Sequence, residues 1–185
     1  MPNAMFKKFS REEVHSRSNI KSSVQRGLKA KLIEQFPGLE SVIEEAMPKK
    51  SQMVQIKCSD KVTLYSINSE VLFFQSFDDP LVPTIKFVHK YPEAFPRVKV
   101  DRGAIKFVLS GANIMCPGLT SPGASLPESP GLDVGAVVSI YAENKEHALA
   151  VGVLTMSTED IKSINKNCGV EVCHYLGDGL WNFSE

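Results

Sequence analysis

The sequence predicts an α+β fold in two domains, an N-terminal domain over residues 1–96 and a C-terminal domain over residues 97–185. In the first half, a helical pattern is followed by short runs of β-branched and aromatic residues. Two prolines within residues 91–96 disfavour both a helix and a central strand, so this segment is a natural domain border. In the second half, strand patterns alternate with short helices. A chain of 185 residues is long enough for two small domains with modest cores.

The main helix of the first domain is predicted over residues 19–35, with Asn19 as its N-cap. Its apolar positions recur every four residues and therefore form one stripe on the helix. That stripe consists of Ile20, Val24, Leu28 and Leu32. The remaining elements of this domain are a helix over 39–46, strands over 53–57, 62–67 and 71–74, and a helix over 84–90.

The second domain is predicted to begin with a strand over residues 97–100. Asp101 then caps a short helix over 104–110, which ends at Gly111. One sector of this helix is apolar and is expected to be buried, whereas Phe107 lies on the opposite side. The buried sector consists of Ile105, Val108 and Leu109.

Three further strands and one helix complete the second domain. Ser157 begins a capping-box-like start for a helix that runs to about Asn165. The strand over 148–154 is apolar on both faces, as in a small closed barrel, and Gly152 marks a bend in it. The other strands cover 137–142 and 170–175.

Composition excludes several classes of protein. The chain is 43% hydrophobic and 23% charged, as in an ordinary globular protein, and it has no apolar run of the roughly 18 residues that a membrane span requires. Its first residues lack the apolar core of a secretory signal, so we expect a cytoplasmic protein. The four cysteines contain no C-x-x-C pair and are expected to be reduced thiols.

The motifs of catalysis and cofactor binding are absent from the sequence. There is no dinucleotide-binding, P-loop, metalloprotease or serine-hydrolase signature, so we expect no enzymatic activity and no cofactor. Cys116 is interpreted as a buried structural thiol, since the sequence shows neither a helix N-terminus nor a cation to activate it. Cys168, Cys173 and His174 form the only ligand-type cluster, and without a fourth ligand they predict no metal site.

The formal net charge is zero, but the charges are not evenly distributed. Residues 1–96 carry 14 basic and 11 acidic side chains, a net +3, and residues 97–185 carry 7 and 10, a net −3. A local basic surface can bind phosphates even in a neutral chain, although a solvated helix face explains the pattern equally well. The basic residues selected as phosphate contacts are Lys7, Lys8, Arg26, Lys29, Lys49 and Lys50.

The segment 110–119 is the best candidate for a binding site. Its glycines and proline indicate a sharply turning backbone with accessible N–H groups, which permits the close approach that phosphate or nucleotide binding requires. A purely structural turn is the alternative. The candidate contacts are Gly111, Ala112, Asn113, Met115, Pro117 and Gly118.

The order of these parts resembles a known family. The run from Val98 to Gly118, the strand over 148–153 and the ending Val170–Trp181 are similar to a PUA domain, an RNA-binding pseudobarrel. The whole chain from Met5 resembles the malignant T-cell-amplified sequence family, above all in residues 104–124. It departs from that family at Asn167 and Cys168, and in the loop over 125–135.

The resemblance implies a non-catalytic translation factor that works with the density-regulated protein on the small ribosomal subunit. It implies that the candidate contacts within residues 110–119 bind RNA of the small subunit. It further implies contact with the acceptor end of tRNA, and roles in re-initiation and in release of tRNA after termination. It also implies a monomer until the partner is met. The alternatives are a ribosome-biogenesis factor and an accessory protein of RNA modification.

Phe107 is the candidate contact for a protein partner. A large exposed aromatic ring is unfavourable for solubility unless another surface covers it. The covering surface is either the partner protein or the other domain of the same chain.

Overall fold

A computed structural model describes residues 5–185 of the chain and divides them into two compact units. The first unit comprises residues 10–95 together with 183–185, and the second comprises residues 5–9 together with 96–182. The chain passes from one unit to the other near residue 96, but its two ends are exchanged relative to the predicted domains. Residues 5–9 belong to the second unit because Gly179 N donates a hydrogen bond to Phe6 O (2.8 Å) and the Phe6 side chain is fully buried.

The first unit is built on a five-stranded antiparallel sheet in the order β1-β2-β3-β4-β5. Its strands are β1 (Val14–Asn19), β2 (Met53–Cys58), β3 (Val62–Ile67), β4 (Glu70–Ser76) and β5 (Val82–Pro83). Its helices are α1 (Ser22–Gln35), α2 (Ile43–Ala46) and α3 (Ile85–Lys90). Phe36, Phe87 and Phe95 are buried, and the ring centroid of Phe95 lies 5.0 Å from that of Phe36 and 5.7 Å from that of Phe87.

Two expectations for α1 are wrong. Asn19 is not a cap but the last residue of β1, and the helix begins at Ser22 after Lys21. Val24 is 52% exposed and its neighbour Gln25 is buried instead. The cause is tertiary: Gln25 Nε2 donates to Ser51 O (2.9 Å) and Gln25 Oε1 accepts from Met53 N (3.2 Å). These bonds compensate for burial of the amide and rotate the buried face by one residue.

The second unit is built on a curled half-barrel sheet in the order β6-β8-β9-β10-β7. Its strands are β6 (Arg97–Val100), β7 (Ile114–Met115), β8 (Val137–Ala142), β9 (Ala150–Leu154) and β10 (Cys168–Tyr175). Its helices are α4 (Ile105–Val108), α5 (Pro117–Thr120) and α6 (Thr158–Ile164). The predicted strands and the α6 helix are present, whereas the closed barrel is not, because β6 and β7 are opposite edges of the sheet within residues 5–185.

The core of this unit is aliphatic and lies inside the curl of the sheet, where α4, α5 and α6 contribute Val108, Leu119 and Ile161. Gly152 lies where β9 meets the backbone of β10, since a Cβ there would stand 2.5 Å from Glu171 O. The expected burial of Leu109 is wrong, because this side chain is 38% exposed. Within residues 5–185, no helix is both long enough and apolar enough to cross a membrane.

Candidate nucleic-acid interface

An open groove of about 450 Å³ lies between α4 and β7 on the second unit. Four of the predicted RNA contacts line it, namely Ala112, Asn113, Met115 and Gly118. Gly111 and Pro117 lie next to these residues in the chain. Phe107 lines the α4 side of the same groove. The other lining residues are Asp101, Gly103, Ala104, Val108 and Ile114.

The α4 side of the groove is fixed by caps at both ends of a short helical segment. Asp101 Oδ1 accepts a hydrogen bond from Ala104 N (3.0 Å), which confirms the predicted N-cap. At the other end Gly111 has φ +88°, a conformation that favours glycine, and its N–H donates to Val108 O (3.0 Å). Ala112 N donates to Phe107 O (3.0 Å). Gly111 therefore terminates the helix, and its backbone role is structural.

Asn113 joins the groove to the sheet. Its Oδ1 accepts from Val172 N on β10 (3.2 Å), so the amide satisfies a backbone donor of that strand. The next residues form β7, in which Ile114 is buried opposite Val170 and Met115 lies opposite Cys168. Asn113 is therefore a structural residue as well as a lining residue.

One methionine and one phenylalanine side chain are exposed on opposite sides of the groove. Met115 on β7 is 51% exposed and Phe107 on α4 is 56% exposed. Lys106 Nζ lies 5.1 Å from the centroid of the Phe107 ring, which adds a positive charge over the aromatic face. A thioether, an aromatic ring and an ammonium group are suited to stacking against a base or an apolar side chain of a partner.

The floor beside α5 is tightly packed but has space at Gly118. A Cβ built there would lie 3.5 Å from Ile114 Cγ2 and 4.0 Å from Ala104 Cβ, which are ordinary contacts.

Cys116, just before this helix, is fully buried with its Sγ 3.6 Å from Met156 Sδ, and burial raises the pKa of its thiol. A buried thiol with a raised pKa is a poor nucleophile.

The selected basic residues are divided between the two units. Lys7 and Lys8 are exposed on the segment held by Gly179, in the second unit. Arg26, Lys49 and Lys50 are exposed in the first unit, where the Gln25 hydrogen bonds hold the loop after Lys50 against α1. Lys29 differs from these, because its side chain is 13% exposed and its Nζ lies 3.8 Å from Glu44 Oε1.

Counting charges by unit removes the predicted asymmetry. The first unit carries 12 basic and 12 acidic side chains, and the second carries 9 of each. The counts differ from those of the two halves of the sequence because Lys7 and Lys8 belong to the second unit and Glu185 belongs to the first. Attraction of a phosphate chain must therefore come from local groups of cations and not from the net charge of either unit.

In the cluster of Cys168, Cys173 and His174, the histidine has a structural role. His174 Nδ1 lies 2.8 Å from Asp178 Oδ2, and both side chains are buried. Asp178 also accepts from Tyr175 N and Trp181 N, so this pair fixes the final turn of the unit. Within residues 5–185 there is no group of three or more acidic, histidine or cysteine side chains arranged to hold a metal ion.

Sequence reasoning identified the centre of the groove but missed Gly103, Ala104 and Ile114 on its walls. The available signal was the pair of small residues that follows Asp101 and Arg102, which leaves the groove open beside α4. Ile114 lies in a strand of only two residues, and the hydrophobic periodicity of a sequence cannot detect so short an element.

Comparisons with known proteins agree with this architecture. Residues 9–92 match the Pre-PUA-like domain family and residues 96–176 match the PUA domain family. The chain is 22% identical to a hypothetical protein from Pyrococcus horikoshii, whose crystal structure it matches with a TM-score of 0.73 over 90% of this chain and 98% of that one. A conserved PUA domain protein from Thermoplasma acidophilum gives a TM-score of 0.67 at 17% identity, with the same coverage.

Full-length relatives are more similar in sequence. Translation machinery-associated protein 20 of Eremothecium gossypii is 67% identical over 97% of this chain and 99% of its own length. The protein of the same name from Saccharomyces cerevisiae is 66% identical with the same coverage. Malignant T-cell-amplified sequence 2 of Homo sapiens is 49% identical over 96% of this chain and 97% of its own length. With a Pre-PUA-like domain, a PUA domain and near-complete coverage, the chain belongs to the family of translation machinery-associated protein 20 and the malignant T-cell-amplified sequence proteins.

Proposed function

We propose that this chain is a non-catalytic translation factor that binds RNA of the small ribosomal subunit through the groove between α4 and β7. In this proposal it acts with the density-regulated protein in re-initiation and in release of tRNA after termination, in the cytoplasm. The observation that carries the proposal is the groove itself, an apolar site with exposed Met115 on a PUA domain of a translation-associated family.

The groove favours RNA because it combines contact surfaces with a close-approaching backbone. Met115 offers a polarizable side chain to a base, and Gly118 and Ala112 leave room for a sugar. Unpaired bases of RNA are recognised by stacking and by contacts to their edges, which suits an open apolar groove. The acceptor end of tRNA is one such single strand.

The first test measures binding of the purified chain to mature small ribosomal subunits. Met115→Glu places a carboxylate where the base would lie and should weaken binding at least tenfold. Val134→Glu is the matched control, since Val134 is 66% exposed on the same unit and does not line the groove. Equal affinities of both variants and the unchanged chain would contradict the RNA site.

A basic surface on the first unit is proposed to contact phosphates through Arg26, Lys49 and Lys50. The loop that follows Lys50 is fixed to α1 by the Gln25 hydrogen bonds, so these cations are presented by an ordered surface. Each lost phosphate contact should make the dependence of log affinity on log salt shallower by about one. Lys49→Glu with Lys50→Glu tests this against Lys57→Glu, another exposed lysine of the same unit. An unchanged salt dependence would mean that Lys49 and Lys50 are solvated.

The partner contact is proposed at Phe107. Its ring is 56% exposed, so Phe107→Asp should not lower stability appreciably, yet it should abolish association with the density-regulated protein. Retained association of a folded variant would refute this assignment.

Sedimentation of the bound chain with mature small subunits, instead of nucleolar precursors, separates this function from a role in ribosome biogenesis.

A further inference from the structure

Two exposed lysines beside the groove are not part of the proposed RNA site, one at the end of α6 and one in the turn that follows it. Lys162 lies in the last turn of α6, and Lys166 lies in the turn between α6 and β10. Neither ammonium group forms an ion pair within residues 5–185. The position of Lys166 relative to β7 and α5 follows from two hydrogen bonds that flank it, and Lys162 lies one helical turn before it.

The turn is attached to the same elements that form the groove. Thr120 Oγ1 on α5 donates to Asn165 Oδ1 (2.6 Å), and Cys116 N donates to Asn167 O (2.8 Å). Lys166 is the residue between these two anchors. One residue further on, Cys168 is paired with Met115 across β10 and β7. Lys166 therefore lies directly beyond the β7 wall of the groove.

The backbone of the turn is specified by its own sequence. Asn165 has φ +50° and Asn167 has φ +69°, and asparagine is the non-glycine residue best able to adopt this left-handed conformation. The two asparagines flank Lys166, so the lysine is held at the tip of a turn whose anchors are fixed. A rigid position lowers the entropy lost when such a side chain binds a ligand.

Exposed apolar side chains occur on both sides of this turn. Met115 is 51% exposed and Ile164 is 49% exposed. Helix α6 is packed against α5, since Gly169 stands beside both Leu119 and Ile161. Met115 and Ile164 thus offer exposed apolar side chains on the same unit as the two lysines. This pattern suits a nucleic-acid strand, whose bases and phosphates alternate along its length.

We infer that an RNA strand occupying the groove continues over Met115 and that Lys166 and Lys162 bind its phosphates. The inference rests on the proposed function, because it extends the same interface. A lysine near the C-terminal carbonyls of α6 also stabilises that helix, which is the competing explanation for both residues. The two explanations differ in what they predict for RNA affinity.

The test measures binding of a double variant, Lys162→Gln together with Lys166→Gln, to purified small ribosomal subunits. The control variant is Lys145→Gln. Lys145 is an exposed lysine of the same unit in the turn between β8 and β9. The double variant should bind several-fold more weakly, and its salt dependence should be shallower by about 0.7 to 1 per lost phosphate contact. Lys145→Gln should change neither quantity. Restoration by arginine at both positions is also expected.

Three results would overturn the inference. If the double variant binds with unchanged affinity and salt dependence while Met115→Glu binds weakly, the groove is an RNA site and the lysines are not part of it. A lower melting temperature with unchanged affinity would likewise exclude the lysines from the RNA site and assign them to the helix end. If the unchanged chain fails to bind small subunits, both the proposed function and this extension are wrong.

Discussion

Individual residues of the groove combine structural and binding roles, and the contacts of each determine which substitutions are informative. Asn113→Ala removes the acceptor of Val172 N, and a buried donor left without a partner costs about 1 to 3 kcal/mol. A loss of binding by that variant would therefore confuse damage to the sheet with damage to the site. Gly118 has no such role, because its position accepts a methyl group.

Gly118→Ala should leave stability unchanged or raise it by up to about 1 kcal/mol, since alanine restricts the unfolded chain. The added methyl group projects between Ile114 and Ala104 on the groove wall and should weaken RNA binding. Thermal unfolding and small-subunit affinity measure the two effects separately. Gly111→Ala is the contrasting variant: φ is +88° there, so it should lose about 1 kcal/mol or more of stability. Undiminished RNA affinity of Gly118→Ala would exclude a closely fitted occupant.

Residue roles set by local sequence are the ones that could be predicted. The caps by Asp101 and Ser157 depend on neighbours three residues away, and both are present. Burial of Gln25 in place of Val24 depends on Ser51 and Met53, which lie more than 25 residues along the chain. No local pattern contains that information.

At the scale of elements, the segment over residues 5–9 is the main departure from the predicted domains. Phe6 is fully buried in the second unit, 5.9 Å between ring centroids from His174, and its carbonyl accepts from Gly179 N. Gly179 itself must be glycine, because a Cβ there would lie 2.2 Å from Phe9 O. An N-terminal segment without regular structure thus completes the core of a unit that otherwise begins at residue 96.

Phe6→Ala should therefore destabilise the second unit by about 3 to 5 kcal/mol, through lost burial and the cavity that remains. Chemical denaturation followed by the fluorescence of Trp181, which belongs to this unit, measures the effect. Lys8→Ala is the control, since its side chain is exposed and its loss should cost less than about 0.5 kcal/mol. Equal stability of the two variants would show that the segment is not part of the folded unit.

Elements with a strong period or turn signal were predictable, and very short or polar ones were not. The strand over Val62–Ile67 and the helix after Ser157 have the expected positions. Strand β1 is missed because its composition is polar and five of its six residues are exposed, and β7 and β5 have two residues each. Such strands exist because neighbouring strands pair with them, which a single sequence does not display.

At the scale of the whole molecule, each end of the chain belongs to the unit that is formed mainly by the other half of the sequence. Arg11 donates two hydrogen bonds to Ser184 O, and Ser66 Oγ donates to Glu185 Oε2 (2.6 Å), all within the first unit. The fold class and the border near residue 96 follow from pattern and proline content. The exchange of the ends does not, because it depends on contacts between residues more than 100 positions apart.

The central claim is that the groove between α4 and β7 contacts RNA, and hydrogen–deuterium exchange of the chain with and without small ribosomal subunits tests it most directly. Binding should slow exchange of the amides in residues 104–118, with a smaller effect over residues 165–168. The same measurement on Met115→Glu should show little protection at matched concentrations. Protection confined to the first unit, with residues 104–118 exchanging at the same rate in the bound and free chain, would contradict an RNA site in the groove.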